Sequence, residues 1–378
     1  MDGVLLEAAQ STGLRTMLHD GSVPVPTTHV SAAEDAEWLA WPGRYSVARK
    51  CDGTRHLLLV AGDGTVYLRN RAGSLYTFPL RLTSTQESPL QLPPSTVLDG
   101  ELIWVGGQGF FLAFDALAVG QDRVWQQPLW ARTAALQNTL RLVEAEACEE
   151  LLHAATLSSA APPPPPGMIP GFSKKQQAPP PGRDTVTLVY KRHLEVTGPA
   201  LVELEATRGR CPYPTNGLVF TPNSMPYALG MAELLRKWQP AEQAAGDVQW
   251  CGEDRADAQS VEPSASLVAG LVYECLPTGG AGGAGGVRRG AAAGRFGAYC
   301  TPQRRAWRPV SIRWDRPRGN SAAALAGMVG RAASGEGLGH GELVRAVARG
   351  QALAAAHLVS RRPDVPAQRV ILPRTLAI

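Results

Sequence analysis

The strongest constraint on the fold of this chain is a series of short strand-like segments separated by tight glycine turns in its first hundred or so positions. Residues 45–49 alternate in character and 56–60 form a short apolar run. Gly62-Asp63-Gly64 then turns the chain, and 65–69 alternate again. A side-chain period of two with glycine at the corners reads as a meander of antiparallel strands. Further strands are expected at 96–98, 102–105 and 110–117. Over 132–155 the period becomes helical, with Ala135, Leu136, Leu140, Leu142, Val143, Leu151 and Leu152 on one broad apolar stripe.

Breakers divide the rest. Five consecutive prolines, 162–166, and three more at 179–181 fit neither a helix nor a central strand, so 160–184 reads as a surface loop or linker. A second weak zone, 278–294, is nearly all Gly and Ala and reads as a flexible hairpin insertion. Strand patterns at 268–275 and 307–314 flank it, and helix is favoured at 322–331 and 341–356. At 378 residues, length suggests two to three domains. The map is a strand-rich first domain over 1–242 and a smaller β domain with a helical tail over 243–378.

Composition excludes several classes. Hydrophobic residues reach 44% against 19% charged, so sizeable cores are available and a generic disordered chain is excluded. No stretch of about 18 uncharged apolar residues is present, which argues against a transmembrane helix and a membrane partner. The start, Met1-Asp2-Gly3, lacks the basic and apolar regions of a signal peptide. The six cysteines (Cys51, Cys148, Cys211, Cys251, Cys275 and Cys300) form no Cys-x-x-Cys pair, which argues against a zinc ribbon and favours a reducing compartment. A net charge of +4 permits a nucleotide or nucleic-acid partner without demanding one.

The sharpest chemical feature is Arg49-Lys50-Cys51-Asp52-Gly53-Thr54-Arg55, between two strand patterns. One reading is a polar turn with solvated cations. The other is a lysine nucleophile, whose amine attacks only where burial or neighbouring cations favour its neutral form; Arg49 and Arg55 are the available cations. Such an amine attacking an α-phosphorus displaces pyrophosphate and leaves a lysyl-nucleotide, with cations on the phosphate oxygens and usually Mg²⁺. Asp99-Gly100-Glu101 offers an acid for a ribose or a metal, or a hairpin turn. Phe114, in Phe111-Leu112-Ala113-Phe114-Asp115, offers an aromatic for base stacking or a core residue. Asn216 to Pro222 reads as a buried strand, and Arg236-Lys237-Trp238 sets two cations beside a tryptophan.

Taken in order, Lys50-Cys51-Asp52-Gly53-Thr54-Arg55, Asp99-Gly100-Glu101, Phe114-Asp115, Gly217-Leu218-Val219-Phe220-Thr221-Pro222 and Leu234-Leu235-Arg236-Lys237-Trp238 resemble the collinear motifs of the covalent nucleotidyltransferases. Within that superfamily they are most similar to eukaryotic mRNA capping guanylyltransferases. The Lys-x-Asp-Gly-Thr-Arg form, Met225-Pro226-Tyr227 after Phe220-Thr221-Pro222, and Arg313-Trp314-Asp315-Arg316 carry that similarity. Gly270 to Cys275 resembles the strand that opens the family's second domain.

The resemblance implies an α+β fold: an antiparallel-sheet-rich nucleotidyltransferase domain followed by an OB-fold β-barrel domain that closes over the nucleotide. It implies that Lys50 becomes linked to GMP, that Arg55 and Glu101 hold the ribose, and that Phe114 stacks on guanine. Arg71 contacts the nucleotide, Lys191 reads guanine and Lys237 touches the α-phosphate. Arg313, Asp315 and Arg316 orient the leaving pyrophosphate, and Glu101 is the candidate metal ligand for Mg²⁺ or Mn²⁺. The implied partners are GTP, 5′-diphosphate RNA, a separate RNA triphosphatase and RNA polymerase II, and the implied location is the nucleus. No His-Cys-x5-Arg phosphatase loop is present, hence the separate triphosphatase.

Three positions depart from the family pattern. Asn216 stands where an acid is usual, Gln239 where a second lysine is usual, and Ser311 where an arginine is usual. Each removes a charge from the metal or phosphate surroundings, with Arg236 or Arg308 as candidate replacements for a lost cation. Two other readings therefore stand beside the guanylyltransferase: a catalytically impaired paralogue that binds RNA or the transcription machinery, and an ATP-dependent polynucleotide ligase.

Overall fold

The structure is a computed structural model that describes residues 25–30, 32–70, 75–77, 81–83, 90–160, 185–227, 231–240, 246–249, 272–277, 288–289, 300–301, 307–312 and 338–360. Its elements in chain order are β1 (Val25–His29), α1 (Ala33–Leu39), β2 (Tyr45–Cys51), β3 (Thr54–Val60), β4 (Val66–Asn70), β5 (Leu75–Thr77), β6 (Arg81–Thr83), β7 (Val97–Val105), β8 (Gln108–Val119) and β9 (Asp122–Arg123). Then come α2 (Leu129–Ala134), α3 (Glu149–Ala160), β10 (Thr185–Tyr190), β11 (Leu194–Glu195), α4 (Gly198–Ala206), β12 (Thr215–Pro222) and β13 (Met231–Trp238). The last are β14 (Gly246–Gln249), β15 (Val272–Pro277), β16 (Arg288–Arg289), β17 (Cys300–Thr301), β18 (Trp307–Ile312) and α5 (His340–Ser360).

Two mixed sheets make the main body of this sheet-rich α+β fold. One has the order β1-β13-β12-β2-β11, the other β5-β4-β3-β7-β8-β10-β6, with β9 paired to β8. Most pairings are antiparallel; β1 with β13, and β10 with both β8 and β6, are parallel.

The apolar run of β3 follows from burial on both faces. Leu58 and Val60 pack with Leu98, Phe111, Leu136 and Leu188, while Leu57 and Leu59 pack with Val97, Leu117 and Tyr227. A strand covered on both sides cannot alternate with polar residues. The strands expected over 45–70 are present as β2, β3 and β4, but only β3 and β4 pair as a meander, since β2 belongs to the other sheet; the expected strands at 96–117 are β7 and β8.

The helix expected over 132–155 is broken. α2 passes into a π-helical turn at Ala135–Thr139, Arg141 takes φ 52°, and α3 begins only at Glu149. The break has a tertiary cause: Val143 O accepts from Tyr190 N at 2.8 Å, and Glu144 bridges Tyr190 in parallel. The chain leaves the helix to extend the sheet beside β10, and sheet hydrogen bonds override the helical period.

The first sheet is covered by helices on one face. Val47, Leu218, Phe220 and Trp238 pack with Leu39 of α1, Leu201 of α4, and Leu343, Ala346 and Val347 of α5. The 341–356 helix, expected in the tail of a second domain, lies on the first sheet. Trp238 Nε1 donates to Leu338 O at 2.7 Å, and Gly198 N at the start of α4 donates to Gln351 Oε1 at 3.2 Å. Between these parts, the described strands β14-β15-β18 form a three-stranded antiparallel sheet and β16-β17 a ribbon. Of the linker expected over 160–184, Ala160 ends α3, and the rest lies outside the described residues with the helix at 322–331 and the sites Arg71, Arg313, Asp315 and Arg316. Among the described residues no helix is long and apolar enough to cross a membrane.

Candidate active site

Lys50 lies at the end of β2, where the chain leaves one sheet for the other. Only Asp52 and Gly53 separate β2 from β3. Asp52 N is held by Pro214 O at 2.9 Å, across from the first sheet. Gly53 is pressed against the second: a Cβ there would stand 2.5 Å from Ile103 Cγ2 and 2.8 Å from Leu102 O. The glycine of the Asp-Gly pair is therefore required by close approach of β7, and the segment is a crossover between sheets rather than a hairpin corner.

Opposite Lys50, β12 carries a bulge. Thr215 pairs with Cys51 and Leu218 with Arg49, so Asn216 and Gly217 together face Lys50 alone. Gly217 has φ 142°, and a Cβ there would meet Trp238 O at 2.2 Å, so no other residue fits without movement. The bulge aims Asn216 across the pair: Lys50 Nζ donates to Asn216 Oδ1 at 2.6 Å, and Asn216 Nδ2 donates to Asp52 Oδ1 at 3.2 Å.

Neither arginine offered by the sequence as a cationic neighbour of Lys50 is held there. Arg49 points to the helical face, where Nη1 donates to Leu204 O at 2.7 Å and Nη2 donates to Thr207 Oγ1 at 2.5 Å, so the cation meets the carboxyl end of α4. Arg55 is buried in an ion pair with Asp99, with Nε donating to Oδ1 at 2.8 Å and Nη2 to Oδ2. Burial works against its charge, but the Asp99 carboxylate more than offsets that, and the guanidinium ionises well above its ordinary range. Tyr227 OH donates to the same Asp99 Oδ2 at 2.5 Å, and burial followed by the Asp99 charge holds that phenol protonated.

Arg55 reaches the aromatic expected to stack on a base. Its Cζ lies 5.2 Å from the centroid of Phe114, and Lys191 Nζ lies 4.5 Å from the same ring. Phe114 is half-buried rather than a closed core residue. Lys191 N donates to Ala113 O at 2.8 Å, and His193 Nε2 meets Phe114 O at 3.0 Å, so both backbones are tied together. Burial, then the Lys191 charge, pushes His193 down to about 4. The neutral ring satisfies that carbonyl by donating Nε2–H, and Nδ1 has no partner among the described residues.

Glu101 is the register partner of Arg55 across β3 and β7. Its carboxylate lies close enough to act on Arg55 and on the Cys51 thiol, which burial first and then Glu101 push up. Lys237, on β13, pairs with Val219 of β12. Trp238 faces the helices, so alternation puts Lys237 on the opposite face of the sheet, the one Lys50 also takes. Arg236 lies on the helical side beside Tyr45, so it does not replace a cation near Lys50.

The structure thus brings Lys50, Asn216 and Asp52 into one hydrogen-bonded row and Arg55, Phe114, Lys191 and Glu101 into a cluster beyond the crossover. His193, the pairing of Asp99 with Arg55, and a second buried pair, Arg132 with Asp115, are not foreseen from the sequence. Arg132 Nε donates to Asp115 Oδ1 at 2.8 Å, and its Nη1 donates to Met225 O at 2.8 Å. Tyr227 had a signal in Met225-Pro226-Tyr227; His193 had none. A cavity of about 480 Å³, lined by Val105, Arg208, Cys211, Tyr213, Pro214 and Thr215 among others, lies at the start of β12 and includes none of the candidate residues. Among the described residues no three His, Cys, Asp or Glu side chains are grouped to hold a metal ion.

Two sheets meet at a crossover lysine, and an aromatic ring set among cations lies beyond it. Residues 28–159 match the family of the mRNA capping enzyme, catalytic domain, and that segment holds Lys50, Arg55, Glu101 and Phe114. No curated protein matches the chain. Among solved structures it is similar to the ligase domain of M. tuberculosis LigD, at 15% identity and TM-score 0.34, covering 68% of this chain and 70% of that one. An archaeal ATP-dependent RNA ligase matches at 14% identity and TM-score 0.31, covering 58% of this chain and 49% of that one. The ATP-dependent DNA ligase of bacteriophage T7 matches at 13% identity and TM-score 0.29, covering 68% and 78%.

Proposed function

We propose that this chain is an mRNA guanylyltransferase. The observation that carries the reading is the placement of Lys50, fixed by Asn216 at the mouth of the crossover, inside the segment that matches the capping-enzyme catalytic domain. The Lys50 amine gives its surplus proton to solvent and its nitrogen bonds to the α-phosphorus of GTP. The bond from that phosphorus to the bridging oxygen breaks, and its electron pair leaves on pyrophosphate. GMP then passes from Lys50 to the terminal phosphate of 5′-diphosphate RNA.

The neighbours take the roles that the resemblance implies. Arg55, set by Asp99, and Glu101 hold the ribose; Phe114 stacks on the base, and Lys191 beside its ring reads the base edge. Lys237 approaches the α-phosphate from the face of the sheet it shares with Lys50. Arg71 contacts the nucleotide, while Arg313, Asp315 and Arg316 act on pyrophosphate from an OB-fold domain that begins near residue 243. A divalent ion supplies neutralisation of the phosphate charge. Mg²⁺ is commonly held by one or two carboxylates plus substrate phosphates, and Glu101, across from Arg55 beside the crossover, would supply one such carboxylate. A separate triphosphatase supplies the diphosphate end, and the working location is the nucleus beside RNA polymerase II.

The test is labelling of the purified chain with α-labelled GTP or ATP and Mg²⁺ or Mn²⁺. Transfer of label from GTP to the protein, and then to diphosphate-ended RNA, is the expected result. Labelling by ATP alone would point instead to the ligase reading. No labelling of a folded protein by either nucleotide would point to an impaired paralogue, the reading favoured by Gln239 in place of a second cation.

A further inference from the structure

We infer that Asn216 is a clamp on the nucleophile, performing at once two tasks that the acid usual at this position cannot. The inference rests on the reading of Lys50 as the nucleophile. Asn216 Oδ1 accepts from Lys50 Nζ at 2.6 Å while its Nδ2 donates to Asp52 Oδ1 at 3.2 Å. A side chain placed between an amine donor and a carboxylate acceptor must accept at one end and donate at the other. An amide does both; an ionised carboxylate only accepts. With an acid at 216, two carboxylates would face each other across 3.2 Å with no hydrogen between them, and Lys50 would be drawn into an ion pair as its ammonium.

The clamp has a rigid base. Asn216 sits on a bulge that Gly217 alone can complete, and Asp52, its other partner, is anchored through its own N–H to Pro214 O on the same segment. Lys50, Asp52 and Asn216 therefore move as one unit with β12. An amide oxygen at 216 orients the Lys50 amine without adding the negative charge with which a carboxylate there would favour the ammonium. The departure from an acid is thus a working alternative and not a loss.

Two readouts on the full-length chain test this: formation of the GTP adduct, and nucleotide-free acetylation of Lys50 by acetic anhydride at one fixed pH. Acetylation is mapped by mass spectrometry, with Lys191 and Lys237 as internal references. Asn216→Asp is expected to slow both Lys50 readouts about tenfold, with the reference lysines and the thermal midpoint unchanged. Asp52→Asn, which takes the charge off the far acceptor, is expected to slow adduct formation several-fold with little change in Lys50 acetylation. Asn216→Asp acetylated at Lys50 as fast as the parent chain, or faster, would overturn the inference. If no nucleotide labels the parent chain, the proposed function fails, and the acetylation ratio still decides the clamp.

Discussion

Asp99 holds Arg55 through both carboxylate oxygens and also receives the Tyr227 hydroxyl, so two strands and a loop meet at one fully buried acid. Breaking such a network by removing a single partner strands the others in low dielectric. Asp99→Ala is expected to destabilise the protein by about 3–5 kcal/mol, since Arg55 is left buried without its counter-ion. Tyr227→Phe, which removes only one donor, should cost about 1–3 kcal/mol. Chemical denaturation of the two variants gives both values; equal losses would contradict the ranking. His193 gives a pH signature. Its folded value of about 4 lies below the ordinary 6.5, so the unfolded chain binds the proton more readily between these limits. Stability attributable to the neutral ring is present above about pH 6.5 and lost as pH falls toward 4. His193→Gln keeps a donor for Phe114 O and cannot titrate, so its stability should fall less between pH 6.5 and 4. An unchanged acid limb in that variant would contradict this origin.

At the level of elements, the crossover from β2 to β3 decides the site. Gly53→Ala places a methyl within 2.5 Å of Ile103, and either β7 or the crossover must shift. The expected outcome is a stability loss of about 1–3 kcal/mol with a disproportionate fall in adduct formation, because Lys50 is three residues away. A drop in stability with no change in adduct rate would contradict it. This crossover also marks the boundary of what the sequence could reveal. The strand pattern of 45–70 was legible because alternation and the apolar run of β3 report burial directly. The motif glycines were legible as glycines, but not their reason: a turn and a close approach look alike until β7 is seen over Gly53. The helix of 132–155 failed because a helical period says nothing of the pairing of Val143 and Glu144 with Tyr190. Likewise Arg49 and Arg55 flank Lys50 in sequence, yet strand alternation and Asp99 carry both guanidiniums elsewhere.

Across the whole molecule, the chain returns late to support its beginning. Helix α5, from His340, buries Leu343, Ala346 and Val347 against the sheet that carries Lys50. Leu343→Ala should cost about 2–5 kcal/mol in global unfolding, as for a core residue of that domain. Unfolding confined to a separate late transition would contradict this packing. The domain read as 1–242 thus has a structural partner at 338–360, and the intervening strands β14, β15 and β18 are inserted between two parts of one core. In the proposed function this body presents Lys50 to a nucleotide. The most direct test of this is peptide mapping by mass spectrometry after incubation with GTP and a divalent ion. GMP is expected on Lys50 of the parent chain and none on the Lys50→Ala variant. GMP on another residue, or equal labelling of the variant, would contradict it.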